Sequence, residues 1–175
     1  MLDTSVKPYM TKIAIRGMKP ADWEDVSAIY ADGMAAGQAT FETDLPSWES
    51  WNRSHLQFGR LVAAGPDGTI GWAALSPVSS RRAYAGVAEV SVYVAGPSRG
   101  QGVGRSLLVA LIEEAEKHGI WTLQAVVFPE NIATLALHRG CGFREVGRRE
   151  RIGKLNGVWR DTILLERRSK EVGMD

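Results

Sequence analysis

The chain has 175 residues, 45% of them hydrophobic and 23% charged, and a formal net charge of +1. This length suits one domain with a sizeable hydrophobic core, and the near-neutral charge does not favour nucleic-acid or membrane-surface binding. No apolar run approaches the roughly 20 residues of a membrane span, and residues 1–10 lack the apolar segment of a signal peptide. Because the single cysteine, Cys141, cannot form an internal disulfide, we expect a reducing compartment and hence the cytoplasm.

The hydrophobic periodicity switches repeatedly between the strand and the helix pattern. The predicted elements are a strand at 11–16, a helix after Pro20, a second helix after Pro46, a hairpin of 61–64 and 70–75, a strand at 87–94, a helix from Val103, a buried strand at 121–128, a helix after Pro129 and a hairpin of 143–152 and 158–166. Helices separate several of the strands, so this order predicts one mixed α/β domain over residues 11–168. Residues 1–10 are expected to be a disordered lead-in and residues 169–175 a frayed tail.

A glycine-rich turn, residues 99–105, lies between a predicted strand and an amphipathic helix. The first N–H groups of a helix lack intrahelical partners and mark the positive end of the helix dipole. Glycines let a phosphate approach such a terminus closely. The turn therefore predicts a site for a phosphorylated ligand, the alternative being a glycine-rich turn without a ligand.

The common phosphate-binding motifs do not fit this turn. The Walker pattern needs Lys-Ser/Thr after its last glycine and a four-residue gap between glycines, whereas the chain has Arg105-Ser106 and no such gap. The glycines give G-x-G-x-G, which is not the dinucleotide fingerprint. The pattern Arg99-x-x-Gly102-x-Gly104 instead resembles the acetyl-CoA pyrophosphate loop of the GCN5-related N-acetyltransferases (GNAT).

Further motifs narrow the resemblance to the phosphinothricin and methionine sulfone/sulfoximine acetyltransferases within the GNAT superfamily. These motifs are Asn131-x-x-Thr134-x-x-x-His138-x-x-x-Gly142-Phe143, Arg81-x-x-Tyr84 followed by Ala88-Glu89-x-x-Val92-Tyr93-Val94, Thr40-Phe41-Glu42, and Gly157-Val-Trp159-Arg-Asp161. The resemblance implies the GNAT fold, with an α/β mixed sheet in a single domain. It also implies an acetyl-CoA-dependent N-acetyltransferase that forms homodimers.

The resemblance assigns three groups of residues to acetyl-CoA. A bulge in the predicted strand at 87–94 would splay it from the next strand, and N–H groups near Val92, Tyr93 and Val94 would polarise the thioester carbonyl. Asn131 and Thr134 would hold the CoA arm by hydrogen bonds. The residues expected at the pyrophosphate, through backbone N–H groups and arginine side chains, are Arg99, Gly100, Gln101, Gly102, Val103, Gly104 and Arg105.

Glu89 and His138 are the candidate catalytic residues. A carboxylate among apolar strand residues can serve as a base, and the resemblance indicates that Glu89 deprotonates the amine; the alternative is a solvent-facing glutamate. Histidine titrates near neutral pH, so His138 can give a proton to the thiolate or take one from the amine, or it is structural. The division of roles between the two residues stays open.

The expected acceptor site consists of Phe41, Glu42, Arg81, Arg82 and Tyr84. An arginine can hold a carboxylate bidentately, which suits an α-amino acid acceptor, and Arg81 matches the subfamily's arginine better than Arg82 does. The alternative is a basic surface turn. The acceptors that the resemblance implies are methionine sulfoximine, methionine sulfone and phosphinothricin.

Other functions remain open at this point. The enzyme would transfer acetyl directly in a ternary complex, because Cys141 is not positioned as an acyl carrier. One alternative is a GNAT acting on a polyamine, an aminoglycoside or a protein N-terminus, and another is a non-catalytic acyl-CoA-sensing module. His55 and His118 lie on predicted solvated helix faces and receive no role. The three histidines and the single cysteine are not spaced in the sequence like the ligands of a metal site.

Overall fold

The computed structural model describes residues 13–174. The strands are β1 Ala14–Gly17, β2 Arg60–Gly65, β3 Gly68–Pro77, β4 Val87–Val94, β5 Thr122–Val127, β6 Arg144–Leu155 and β7 Val158–Arg168, and the helices are α1 Trp23–Ala35, α2 Trp48–Ser54, α3 Val103–Lys117 and α4 Ile132–Gly140. The predicted order of strands and helices and the mixed α/β fold class are confirmed. The expected lead-in and strand positions 11 and 12 lie outside the described residues.

Within these residues the strands form one seven-stranded sheet in the order β1-β2-β3-β4-β5-β7-β6. The β4–β5 pair is parallel, and the other neighbours are antiparallel. Two parallel neighbours need a crossover connection, and α3 provides it. Its buried stripe, which includes Leu107, Leu108 and Leu111, packs in the larger core cluster. The sequence 87–127 therefore forms a strand–helix–strand unit at the centre of the domain.

Alternation along β3 separates the two faces of the sheet. Ala73 and Leu75 belong to the core cluster that contains α3, whereas Trp72 and Ala74 belong to the cluster that contains Val26 of α1. Successive strand residues point to opposite faces, so α3 covers one face and α1 the other. Both faces of the central strands are thus buried.

Local turn chemistry agrees with the predicted boundaries. The turn Asn156-Gly157 between β6 and β7 has φ of +48° and +81°, as the two central residues of a type I′ hairpin require. At the start of α4 the side chain of Asn131 accepts a hydrogen bond from the N–H of Thr134. Ser47 caps α2 in the same way through the N–H of Ser50.

Two expectations from the sequence are wrong in detail. The tail does not fray at residue 169, because Ser169 is buried and its hydroxyl donates to Glu116 at 2.8 Å. The carbonyl of Val172 accepts a hydrogen bond from Arg168 at 2.9 Å, which holds the residues after Ser169 against the end of β7. Likewise His55 is not on a solvated face, because its ring stacks on Trp51 at 4.1 Å between centroids.

His118 is exposed, as the sequence predicted, although its ring also stacks on Phe58 with 4.2 Å between ring centroids. Burial lowers the pKa of His55, whose Nδ1 lies 2.8 Å from the carbonyl oxygen of Trp51. Periodicity missed the His55 contact because His55 follows the last residue of α2 in an extended conformation, where its ring stacks back on Trp51. Among residues 13–174, every helix is too short or too polar to cross a lipid bilayer.

Substitution of Leu107 should reveal how strongly α3 depends on its buried stripe. Leu107 is fully buried, and truncation of such a side chain costs about 2–5 kcal/mol, so Leu107→Ala should lower the free energy of unfolding by that amount. Val109 on the same helix is 40% exposed, and Val109→Ala should change it by less than about 0.5 kcal/mol. Urea unfolding followed by circular dichroism measures both; equal losses would contradict this packing.

Candidate active site

The sheet opens between its two central strands. β4 and β5 are in register only at Val87–Thr122, Ala88–Leu123 and Glu89–Gln124. Beyond that point β4 continues to pair with β3, and β5 continues to pair with β7. The expected bulge does not interrupt the β3–β4 register, so the divergence of β5 produces the gap. Backbone groups of residues 90–94 that face β5 therefore have no strand partner among the described residues.

A cavity of about 320 Å³, here called the strand cavity, fills this opening. Its walls come from β4, β5, the loop after α1, and α4. The residues that line it are Tyr30, Gln38, Ala39, Thr40, Phe41, Glu42, Glu89, Val90, Ser91, Val92, Tyr93, Ala125, Val126, Val127, Phe128, Asn131, Thr134 and His138. The structure thus brings Glu89, His138, Phe41 and Glu42 together, as the sequence predicted.

Glu89 lies where the pairing of β4 with β5 ends. Its Oε2 accepts a hydrogen bond of 2.7 Å from Nε2 of Gln124, the residue directly opposite on β5. This contact fixes one carboxylate oxygen and leaves the other available to a ligand. Gln124 was not among the predicted site residues, although a polar side chain in the middle of a largely apolar strand was a usable signal.

His138 is buried, and its environment defines its tautomer. Nδ1 lies 2.8 Å from the carbonyl oxygen of Thr134, which can only accept, so Nδ1 carries the proton of the neutral ring. Nε2 is buried and has no hydrogen-bond partner among the described residues. Burial also lowers the pKa of His138, which keeps the ring neutral at pH 7. Its Nε2 is therefore a proton acceptor.

Two tyrosines contribute hydroxyl groups to the strand cavity. The rings of Tyr30 and Tyr93 meet edge-on with centroids 5.0 Å apart, and Tyr93 also stacks on Trp72 at 4.8 Å. Burial raises the pKa of both hydroxyls, so both keep their protons at neutral pH and act as donors. Tyr93 was expected to contribute its backbone; the structure adds its side chain and that of Tyr30.

A second cavity of about 490 Å³, here called the loop cavity, lies at the N-terminus of α3. Gly102 is the N-cap residue with φ of +83°, and Gly100 has φ of +72°. A Cβ at either glycine would meet nothing within 4 Å, so a ligand can approach the backbone there. The first N–H groups of α3 have no acceptor within the helix. This cradle fits an anionic group such as a pyrophosphate.

Arginine side chains surround the loop cavity. Arg99 donates from Nε to the carbonyl of Val94 at 3.1 Å, and Arg105 donates to that of Gly140 at 3.2 Å. Both residues line the cavity and keep further N–H groups for a ligand. The predicted residues Val92, Tyr93, Val94, Val103 and Gly104 line it too. Gln101 does not, because its side chain donates to the carbonyl of Pro97.

The two cavities are adjacent. They share Gln38, Ala39, Val92, Tyr93, Asn131 and Thr134 as lining residues. Asn131 lines both cavities, and its side chain also forms hydrogen bonds within the protein. Its carboxamide oxygen accepts from the N–H of Thr134 at 3.2 Å, and its Nδ2 donates to the carbonyl of Gln38 at 3.0 Å.

Three of the residues predicted for the acceptor site do not reach the strand cavity in this chain. Arg81, Arg82 and Tyr84 are exposed on the connection before β4 and are absent from the walls formed by residues 13–174. Glu42 and Glu89 are the charged side chains of those walls, without lysine or arginine. Both arginines lie on the loop between β3 and β4. No local sequence pattern specifies where such a loop lies relative to the cavity.

The described part of the chain supports neither a metal site nor a nucleophilic cysteine. Residues 13–174 contain no group of three or more His, Cys, Asp and Glu side chains placed to hold a metal ion. Cys141 is half-buried, and burial raises the pKa of its thiol, so it is protonated at neutral pH. It lines neither the strand cavity nor the loop cavity.

Comparison with known proteins agrees with this geometry. Residues 23–143 match the model of the acetyltransferase (GNAT) family, and the chain belongs to that family. It is 35% identical over 161 residues to a phosphinothricin N-acetyltransferase of Alcaligenes faecalis, covering 87% of this chain and 81% of that protein. It is 31% identical over 159 residues to an L-methionine sulfoximine/L-methionine sulfone acetyltransferase of Pseudomonas aeruginosa, covering 87% and 92%.

A solved structure with a bound cofactor is similar as well. The phosphinothricin acetyltransferase from Sinorhizobium meliloti in complex with acetyl-CoA superposes with a TM-score of 0.85 at 30% identity. The match covers 95% of this chain and 92% of that one. The protein is therefore an acetyl-CoA-dependent N-acetyltransferase of the GNAT family, as the sequence predicted.

The positive φ of Gly102 should be required for binding of CoA. An L-residue in this conformation costs about 1–2 kcal/mol, and relief of that strain would move the N–H groups of the turn. We expect Gly102→Ala to weaken CoA binding about tenfold, measured by isothermal titration calorimetry. Gly147→Ala in β6 is the matched control, since a Cβ there also meets nothing within 4 Å. Unchanged affinity in Gly102→Ala would show that the turn is not the anion site.

Proposed function

We propose that this enzyme acetylates the α-amino group of a small amino acid or analogue, by direct transfer within a ternary complex. Methionine sulfoximine, methionine sulfone and phosphinothricin are the proposed acceptors, because the named relatives act on them. The adjacency of the two cavities is the observation that carries the proposal. Six residues line both cavities, so two ligands can lie in contact without a covalent carrier between them.

The loop cavity is the proposed site of acetyl-CoA, which supplies an acetyl group activated as a thioester. The N-terminal amides of α3 and the side chains of Arg99 and Arg105 would bind the pyrophosphate. The N–H groups of β4 near Tyr93 would donate to the thioester carbonyl. Such preorganised donors are worth about 3 kcal/mol of the activation barrier. Those that face β5 are available because β4 and β5 no longer pair beyond Glu89 and Gln124.

Glu89 is the proposed base that deprotonates the acceptor's amine, directly or through one water. Gln124 holds one of its oxygens and so orients the other. His138 is the second proton acceptor of the strand cavity, because its neutral ring carries its proton on Nδ1 and leaves Nε2 bare. The protonated hydroxyls of Tyr30 and Tyr93 are the donors that can supply a proton to the departing thiolate.

The acceptor's carboxylate needs a cation that the walls of the strand cavity lack. Arg81 is the proposed partner for this carboxylate, on the exposed connection that leads into β4. We also propose a homodimer, in which the second copy completes the open side of the acceptor site. Phe41 and Glu42 would contact the acceptor's side chain from the loop after α1.

A cationic acceptor such as a polyamine is the second candidate. It is favoured by one observation: the charged side chains of the strand cavity are the carboxylates Glu42 and Glu89. Opposite charges attract strongly at short distance in a partly buried site.

Thiol release from acetyl-CoA distinguishes these functions. The acceptors to test are methionine sulfoximine, methionine sulfone, phosphinothricin, spermidine, an aminoglycoside and a peptide with a free N-terminus. We expect turnover with the amino-acid analogues and a loss of about 100-fold in Glu89→Gln, because general-base catalysis contributes at least that much. Glu113→Gln, at an exposed position of α3, is the matched control and should retain wild-type rates.

Each other outcome has a defined meaning. Turnover with spermidine or the aminoglycoside alone would reject the amino-acid acceptor and keep the enzyme class. Full activity of Glu89→Gln on the amino-acid analogues would reject Glu89 as the base. Tight binding of CoA without turnover on any of these acceptors would reject all of the proposed acceptors.

A further inference from the structure

The loop after α1 forms a wall common to both cavities. Residues 37–42, here called the strap, connect the end of α1 towards α2. Gln38 and Ala39 line both cavities, and Thr40, Phe41 and Glu42 line the strand cavity. Within the strap, the N–H of Glu42 donates to the hydroxyl of Thr40, which is a local hydrogen bond. The position of the strap therefore depends on what holds it from outside.

Two hydrogen bonds from residues distant in sequence hold the strap in place. Nδ2 of Asn131 donates to the carbonyl of Gln38 at 3.0 Å, across 93 residues of sequence. The guanidinium of Arg160 in β7 donates to the carbonyl of Gly37 at 3.3 Å, across 123 residues. These bonds connect the strap to α4 and β7, which lie on the β5 side of the opened sheet. The strap thus bridges the gap between the two halves of the sheet.

Arg160 also reaches the strap through aromatic rings. Its guanidinium carbon lies 4.3 Å from the centroid of the Phe128 ring, at cation–π distance. Phe128 meets Phe41 of the strap edge-on, with centroids 4.8 Å apart. The side chain of Arg160 is 19% exposed, and its ion pair with Glu130 at 3.3 Å involves a largely exposed carboxylate. Its buried contacts are therefore with the strap and with Phe128.

The backbone of β6 at Gly153 packs closely against the ring of Phe41. A Cβ at Gly153 in β6 would lie 3.0 Å from the Phe41 ring, closer than ordinary van der Waals contact. The β6–β7 register shifts between Arg149 and Gly153, which places this glycine next to the strap. Phe41 is thus enclosed between Phe128 and the backbone of Gly153. The β6–β7 hairpin and the strap are complementary in shape.

We propose that Arg160 is a positioning residue that holds the strap against Phe128 and thereby sets the acceptor wall of the strand cavity. Arg160 does not line that cavity itself, it contacts the lining residue Phe128, and it takes no part in the chemistry. Asn131 independently holds Gln38, the strap residue nearest to the loop cavity. Loss of the Arg160 contacts should therefore affect the acceptor side more than the acetyl-CoA side. The kinetic consequence rests on the proposed function, whereas the structural one does not.

Hydrogen–deuterium exchange of the ligand-free protein tests the structural claim. Arg160→Met keeps an apolar stem over Phe128 but removes the donors and the charge. We expect amide exchange in peptides that cover the strap to become about tenfold faster, with no change in β4 and α3. Arg160→Lys, which keeps the charge and a donor but loses the planar stacking, should be intermediate.

Arg144→Met is the matched control. Arg144 lies on the same hairpin and pairs with Glu166, away from the strap. Its substitution should leave exchange of the strap unchanged. Unchanged exchange of the strap in Arg160→Met would overturn the inference. A uniform acceleration in all peptides would overturn it as well, because Arg160 would then act on global stability alone.

Steady-state kinetics test the consequence. In Arg160→Met the KM for the acceptor should rise about fivefold or more, while the KM for acetyl-CoA changes less than about twofold. Arg160→Lys should recover part of the loss. An equal rise in both KM values would contradict the assignment to the acceptor side. Faster strap exchange in a protein that acetylates none of the acceptors would uphold the role of Arg160 and reject the proposed function.

Discussion

The parallel pairing of β4 with β5 ends at Glu89 and Gln124, and the remaining features of the site depend on that limit. Had the pairing continued, the N–H groups of β4 would be used in the sheet and the strand cavity would be closed. Because each strand keeps its outer neighbour, the sheet divides into a β1–β4 half and a β5–β7–β6 half without losing its core. The opening is therefore stable, since both faces of the sheet remain covered by packed helices.

The same topology places two kinds of chemistry side by side. A parallel pair requires a crossover helix, and the N-terminus of α3 consequently lies near the end of β4, where the loop cavity forms. Burial in the strand cavity acts in the same direction on its titratable groups, because it keeps the tyrosine hydroxyls protonated and His138 neutral. The acceptor side thus offers neutral donors and acceptors together with the carboxylates of Glu42 and Glu89. The strap then closes the site from a third direction.

Periodicity and local motifs predicted the order of the elements, the glycine turn and the positions of Glu89 and His138, because strands, helices and caps depend on neighbouring residues. They did not predict Gln124 or Arg160, whose partners lie 35 and 123 residues away. For the same reason, local patterns did not predict that the arginines before β4, which the resemblance places at the acceptor, are exposed in this chain. His55 was misassigned for a different reason, because it lies one residue past α2 in extended backbone, where its ring stacks back on Trp51.

The most direct test of the central claim is to locate CoA on the protein by amide chemical-shift changes in the isotope-labelled chain. The opened sheet predicts that the largest changes occur at residues 92–94 of β4, at residues 102–105 of the glycine turn and at the start of α4. Residues of α2 and the region around His118, on the far side of the domain, should not respond. Large changes in α2 and around His118, with unaffected amides in β4 and the turn, would contradict the claim.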